Sequence, residues 1–218
     1  MIAAVVFDFD GVLVDSEPLH LRAYQEVLEP IGLSLPREKY YASYLGYDDA
    51  GVFKAVAEAR DWPLDARKLD ALIEEKSRVF EALAAGGDML YAGAAECLTR
   101  LAAHWPLGIA SGAARAEIET MLGGRGLARH FQFIVAAGET LAGKPAPDPY
   151  RKAAALHGHP PAACVAIEDS RWGIESAKAA GLWCIGITHT YLVSELLEAD
   201  AIVTSLAELT PDLIRTLA

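Results

Sequence analysis

Short apolar runs rich in β-branched residues recur at residues 3–9, 107–111, 133–137, 164–168, 183–187 and 201–204, and each reads as a buried strand. Between them, apolar positions fall at helical spacing over residues 94–104, 114–122, 149–157, 171–180 and 206–217. Strand alternating with helix predicts an α/β fold with a parallel sheet covered on both faces.

Residues 16–87 break this rhythm. No strand pattern occurs there, and four helical patterns follow one another at 18–28, 37–45, 49–59 and 65–85. Pro18 suits the first turn of the first helix, and Gly86 with Gly87 would end the last. The expected organisation is therefore a core of residues 1–15 and 88–218, with residues 16–87 inserted as an all-helical subdomain. Ligands of open parallel sheets sit beyond the carboxyl ends of the strands. An insertion leaving the first strand at that end would hang over such a site as a lid.

Composition narrows the class. The 218 residues suit one sizeable domain, or a domain with a smaller partner, and 53% hydrophobic with 22% charged residues is a globular balance. No stretch reaches the ~18 apolar residues of a membrane span. The formal net charge of -11 disfavours nucleic acid or an anionic membrane as partner, while leaving room for a small phosphorylated substrate held by local positive charge. No obligate protein partner is evident. The first basic residue is Arg22 and the first apolar run stops at Asp8, so no export signal is read and a cytoplasmic location is expected. Cys97, Cys164 and Cys184 lie far apart among apolar neighbours, as reduced core thiols do.

Candidate chemistry stands at the strand ends. Asp8 and Asp10 close the first strand, and two residues apart on a strand they point the same way. Ser111-Gly112 follows "LGIA", Lys144 lies in "AGKPAPDP", and Glu168-Asp169 follows "CVAI". In a parallel sheet these ends share one edge, so residues distant in sequence converge. Carboxylates crowded at a buried edge repel unless a cation sits among them, and Asp8 with Asp169 would suit Mg²⁺, which takes one or two carboxylates plus water and phosphate oxygens. Pro145, Pro147 and Pro149 stiffen the loop around Lys144, with Asp148 expected to cap the next helix. Ser111 and the backbone N–H groups after it could hold an anion at a helix start. Each group alone also has a plain structural reading: a solvated strand end, an acidic loop opening the helix at Ser170, a surface lysine, an N-cap serine. The four together at one edge are what favour chemistry.

In combination, "VVFDFDGVLVDS", "IASG", "GKPAPDPY" and "AIEDSRWGIESAKAAG" resemble, in order, the four motifs of the haloacid dehalogenase superfamily. The resemblance implies a Rossmann-like three-layer core with a helical cap inserted after the first motif. By position it implies Asp8 as nucleophile, Asp10 as general acid and base, and Ser111, Gly112 and Lys144 as phosphate binders. It further implies Mg²⁺ held by Asp8, Asp169, the Asp10 carbonyl and neighbouring Glu168. Asp8 must be ionised to attack phosphorus, whereas Asp10 must protonate the leaving oxygen and then deprotonate the water that cleaves the aspartyl-phosphate. Two carboxylates are needed because one cannot do both.

The spellings are most similar to the subgroup of β-phosphoglucomutase, phosphoglycolate phosphatase and sugar-phosphate phosphatases. His20 and Lys76 match cap positions where that mutase meets its substrate. The mutase also carries a cap-loop arginine after a glycine, where this chain reads "LGYDDAG", with Asp48 and Asp49. An acidic loop suits a substrate with one phosphate and hydroxyls better than a bisphosphate, so a Mg²⁺-dependent phosphatase of a small phosphorylated metabolite is expected, ahead of a phosphomutase. Asp10 argues against the dehalogenase branch. The phosphonatase branch, which uses a cap lysine as a Schiff base, would need one of Lys39, Lys54, Lys68 or Lys76. A receiver-like phosphoacceptor module shares the acid pair, hydroxyl and lysine, but the inserted helices would obstruct docking and Asp10 would shorten the life of the phosphate.

Overall fold

The computed structural model describes residues 1–45, 47–84, 89–123 and 126–218. Its contacts divide the chain into two units, Met1–Asp15 with Met89–Ala218, and Ser16–Asp88.

The first unit is built on six strands: β1 (Ala4–Phe7), β2 (Leu107–Ala110), β3 (Phe131–Val135), β4 (Cys164–Glu168), β5 (Trp183–Ile187) and β6 (Ala201–Val203). They pair in the order β3-β2-β1-β4-β5-β6, every neighbouring pair parallel. Every residue of β1, β2 and β4 is buried, as expected of strands covered on both faces, whereas the edge strands β3 and β6 are partly exposed. The chain order reverses across β1, which places a switch point between β1 and β4. This is a Rossmann-like α/β sheet.

Register fixes the site. Phe7 of β1 lies opposite Ile109 of β2 and Ile167 of β4. One residue further on, Asp8 is therefore level with Ala110 and Glu168, and Ser111 and Asp169 follow directly. One face of the sheet packs Ala4, Val6, Ala166 and Cys184 against Tyr150, Ala153, Ile174 and Ala177 from the helices that cover it. Small side chains on both sides allow that close approach. The three cysteines are buried free thiols.

The second unit holds α1 (Glu17–Leu28), α2 (Arg37–Ser43), α3 (Asp49–Glu58) and α4 (Ala66–Ala84). Leu21, Tyr24, Leu28, Tyr40, Phe53 and Val56 form its own apolar core. Pro18 sits in the first turn of α1, and the Asp48 carboxylate accepts from Gly51 N–H to cap α3. The expected glycine stop at Gly86 and Gly87, and Gly46 of the acidic loop, lie outside the described residues.

The remaining helices are α5 (Ala94–Ala102), α6 (Arg115–Gly123), α7 (Asp148–His157), α8 (Arg171–Ala180) and α9 (Pro211–Arg215). Three expectations need correction. β3 begins two residues earlier than its apolar run, because Phe131 already pairs with Leu107. The helix expected over 206–217 is split: a short 3₁₀ turn at Leu206–Glu208 is followed by α9, which Thr210 caps and Pro211 starts. Asp148 is the first residue of α7 rather than its cap, and Pro147 holds the cap position without a side-chain bond. There Asp148 still meets the positive end of the helix.

Candidate active site

Asp8 leaves the carboxyl end of β1 with its side chain turned inward. Its Oδ1 accepts from the Phe9 N–H at 2.7 Å and faces Lys144 Nζ at 2.9 Å. Lys144 in turn donates to Glu168 Oε1 at 2.6 Å. A row of acid, base and acid thus crosses from β1 to β4, carried by the loop before α7.

Glu168 has no exposed surface, and a charge there is tolerable only if its lone pairs are filled. They are filled. Oε1 takes Lys144 and the Tyr150 hydroxyl, the latter at 2.7 Å, while Oε2 takes Asp169 N–H, Ser170 N–H and Ser170 O–H. Space for it comes from α8: a Cβ at Gly173 would fall 1.8 Å from Oε1. Ser170 completes the arrangement by capping α8 through Gly173 N–H.

Asp8, Glu168 and Asp169 each offer a carboxylate oxygen within 4.8 Å of the others. Burial, first of all, pushes the Asp8 carboxyl up to about 7; Lys144 pulls against this, and Glu168 and Asp10 add to it. Asp169 is raised well above the usual carboxylate range by burial and then by Glu168 and Asp8. Burial alone would lower the Lys144 ammonium, but Asp8 and Glu168 beside it hold it above its ordinary value. One lysine among three buried carboxylates leaves excess negative charge, and an all-oxygen cluster of this kind fits a hard divalent cation.

β1 ends at Phe7, short of its expected run to Phe9, so Asp10 and Gly11 stand in a tight loop and the strand alternation expected to aim Asp8 and Asp10 the same way does not apply. Gly11 has φ +73°, and a Cβ there would stand 1.9 Å from Asp169 Oδ2, so only glycine lets the loop approach this closely. His189 Nδ1 donates to Gly11 O at 3.1 Å while its ring stacks on Tyr91 at 3.8 Å, and Thr190 hydrogen-bonds Asp169. Ser111, buried at the end of β2, accepts from Ala113 N–H through Oγ, and Gly112 lies between them.

His20 and Lys76 belong to the second unit and meet each other. Lys76 is 2% exposed, with Nζ 2.9 Å from His20 Nδ1 and 2.8 Å from Asp49 Oδ1. An ammonium has only donors, so Nδ1 accepts and the imidazole is neutral. Burial, then Lys76, holds the His20 pKa well below its ordinary value. Asp49 also accepts from the Tyr24 hydroxyl at 2.6 Å, and the His20 ring stacks on Phe80 at 4.2 Å. The two aspartates of the acidic loop thus already have work inside this unit: Asp48 caps α3 and Asp49 pairs with Lys76.

Tyr150, Gly173, His189 and Thr190 escaped the sequence reading. Tyr150 and Gly173 stand inside quoted motifs, "GKPAPDPY" and "RWGIE", so motif membership was the available signal. His189 and Thr190 follow β5, where nothing in the pattern marks them.

The model of the haloacid dehalogenase-like hydrolases matches residues 2–181, and the chain belongs to that family. Protein CbbY of Rhodobacter capsulatus is 35% identical over 191 residues, 82% of each chain. Fructose-1-phosphate phosphatase YqaB of Escherichia coli (strain K12) is 30% identical over 189 residues, 85% of this chain and 96% of that one. The crystal structure of CbbY from Rhodobacter sphaeroides in complex with phosphate superposes with a TM-score of 0.84 at 29% identity, covering 96% of both chains. A phosphatase enzyme of this hydrolase family is the class so defined.

Proposed function

We propose that this enzyme is a Mg²⁺-dependent phosphatase that hydrolyses a small phosphorylated metabolite, a sugar phosphate or similar phosphomonoester, through an aspartyl-phosphate on Asp8. The observation that carries the reading is the buried row of Asp8, Lys144 and Glu168 at one sheet edge, with Asp169 in the same oxygen cluster. The names of two relatives lend support: one is a fructose-1-phosphate phosphatase, and CbbY of Rhodobacter sphaeroides was crystallised with phosphate.

In this reading Asp8 and Asp169 are the carboxylates for the metal, with the Asp10 carbonyl beside them. Glu168 lies in the same cluster, but its oxygens are engaged by protein donors. Mg²⁺ would neutralise charge on the transferring phosphoryl group and keep its ligand carboxylates ionised.

The chain's own residues supply the rest. Asp8 Oδ attacks phosphorus as the ester oxygen leaves, and Asp10 gives that oxygen its proton. Asp10 then takes a proton from water, which attacks the acyl phosphate and returns Asp8 as carboxylate with inorganic phosphate released. Lys144, Ser111 and the N–H groups after Gly112 hold the equatorial oxygens, because phosphoryl transfer needs mainly positioning and charge stabilisation. We take residues 16–87 as the cap that selects the substrate, and His20 and Lys76 as its candidate substrate-binding residues. A single-phosphate, hydroxyl-bearing substrate fits a cap in which Asp49 already uses the charge of Lys76.

The test is phosphate release from a panel of phosphorylated sugars and organic acids, with Mg²⁺ or with chelator. Turnover that needs Mg²⁺ and vanishes in Asp8→Asn is expected; near wild-type turnover by Asp8→Asn would falsify the assignment. β-Glucose 1-phosphate is included, since isomerisation with little release would turn the reading toward a phosphomutase.

A further inference from the structure

We infer that Tyr150 is a positioning residue of this site: its hydroxyl fixes Glu168 so that Glu168 aims the Lys144 ammonium at Asp8. The inference rests on the phosphatase reading above and adds a residue to it.

Three distances define the linkage. The Tyr150 hydroxyl donates to Glu168 Oε1 at 2.7 Å, and Lys144 Nζ reaches the same oxygen at 2.6 Å and Asp8 Oδ1 at 2.9 Å. Tyrosine and lysine therefore share one acceptor atom. Lys144 Nζ also lies 5.0 Å from the centre of the Tyr150 ring, over its face, so the same residue bounds the ammonium on a second side.

Lysine is otherwise a poor fixed charge, because its four-carbon stem is flexible and its ammonium has no preferred direction. Here the stem is short of freedom at its end only if Glu168 does not move. Ser170 and the Asp169 N–H hold Oε2, which leaves rotation of Oε1 as the remaining freedom, and Tyr150 removes it. Tyr150 itself is fully buried in the first turn of α7, directly after Pro149, and packs in the sheet core. A rigid phenol on a rigid helix start is a fit support for a charge that must sit at one point while phosphorus changes partners. Removing supports of this kind costs 10- to 100-fold in other sites.

The experiment is a double-mutant cycle of wild type, Tyr150→Phe, Lys144→Ala and the double variant. Initial rates are read on p-nitrophenyl phosphate with saturating Mg²⁺, and thermal melts are recorded in parallel. Tyr150→Phe keeps the ring and removes only the hydroxyl. The expected result is kcat lowered about tenfold with KM within about twofold, and no further loss when the change is made in Lys144→Ala. A Tyr150→Phe rate within twofold of wild type, or a loss of equal size with and without Lys144, overturns the inference, since either is what a purely structural hydroxyl would give. If Tyr150→Phe does not melt cooperatively, Tyr150→Met, which also removes the hydroxyl while filling the buried space, takes its place in the same cycle and is read by the same two outcomes. Absence of turnover by the wild-type enzyme on every ester would instead sink the phosphatase reading, and the two failures are thereby separate.

Discussion

Gly173→Ala sets two known effects against each other, and the structure says which wins. Gly173 lies within α8 in ordinary helical backbone, so alanine should stabilise the helix by about 1 kcal/mol through propensity alone. The new Cβ would, however, fall 1.8 Å from Glu168 Oε1 and 2.1 Å from Oε2, inside any allowed contact. Glu168 has no solvent to move into, so its carboxylate must give up Lys144 and Tyr150 or push α8 from the sheet. Breaking a buried, hydrogen-bonded ion pair costs about 3–5 kcal/mol, which leaves a net loss of about 2–4 kcal/mol. For a chain of this size each kcal/mol moves Tm by about 2–4 °C, so the variant should melt about 4–16 °C lower. Differential scanning calorimetry reads this directly, and phosphate release measured below the transition should fall about 10- to 100-fold as Lys144 loses its support. A variant that melts at or above the wild-type temperature would refute the reasoning, because helix propensity would then have outweighed the collision.

Two further predictions concern charge. In chelator, the Asp8 carboxyl with its pKa near 7 keeps a proton in the folded state that the unfolded chain, at 3.8, has released. This contribution therefore makes stability fall as pH rises between about 4 and 7. The difference in Tm between wild type and Asp8→Asn should show that slope, and Mg²⁺ should raise Tm more at pH 8 than at pH 5, where its ligands are protonated; a flat difference across the window would contradict the burial argument. His20 has the opposite sign: its pKa is depressed in the folded state, so the stability it contributes is present above about 6.5 and lost as pH falls below that value. Substituting glutamine should reduce acid sensitivity below pH 6.5, measured as Tm against pH for wild type and His20→Gln, and identical acid limbs would count against a neutral, buried imidazole.

Much of the fold was legible because burial leaves a local mark. β4 and β5 coincide with their apolar runs, since strands in the middle of a parallel sheet are apolar on both faces, although β1 stops at Phe7, two residues inside its run. β3, at the edge, is only partly buried and starts outside its run, where the polar Gln132 interrupts the apolar pattern. The helix over 206–217 kept its apolar spacing across a break that Thr210 and Pro211 spell out, so local capping chemistry overrode periodicity there.

The sequence by itself determined the alternation of strand and helix, the helical insertion, and the placing of Asp8, Ser111, Lys144 and Asp169 at strand ends or beside them, because each follows from spacing along a few residues. Tertiary structure decided the partners. That Tyr150 and Lys144 meet on one oxygen of Glu168 and that Asp49 answers Lys76 are contacts between segments far apart in the chain, and that Gly173 makes room for Glu168 depends on how α8 lies against β4. They are set by which rotamers fit once water has been excluded, and no local pattern of residues encodes that choice.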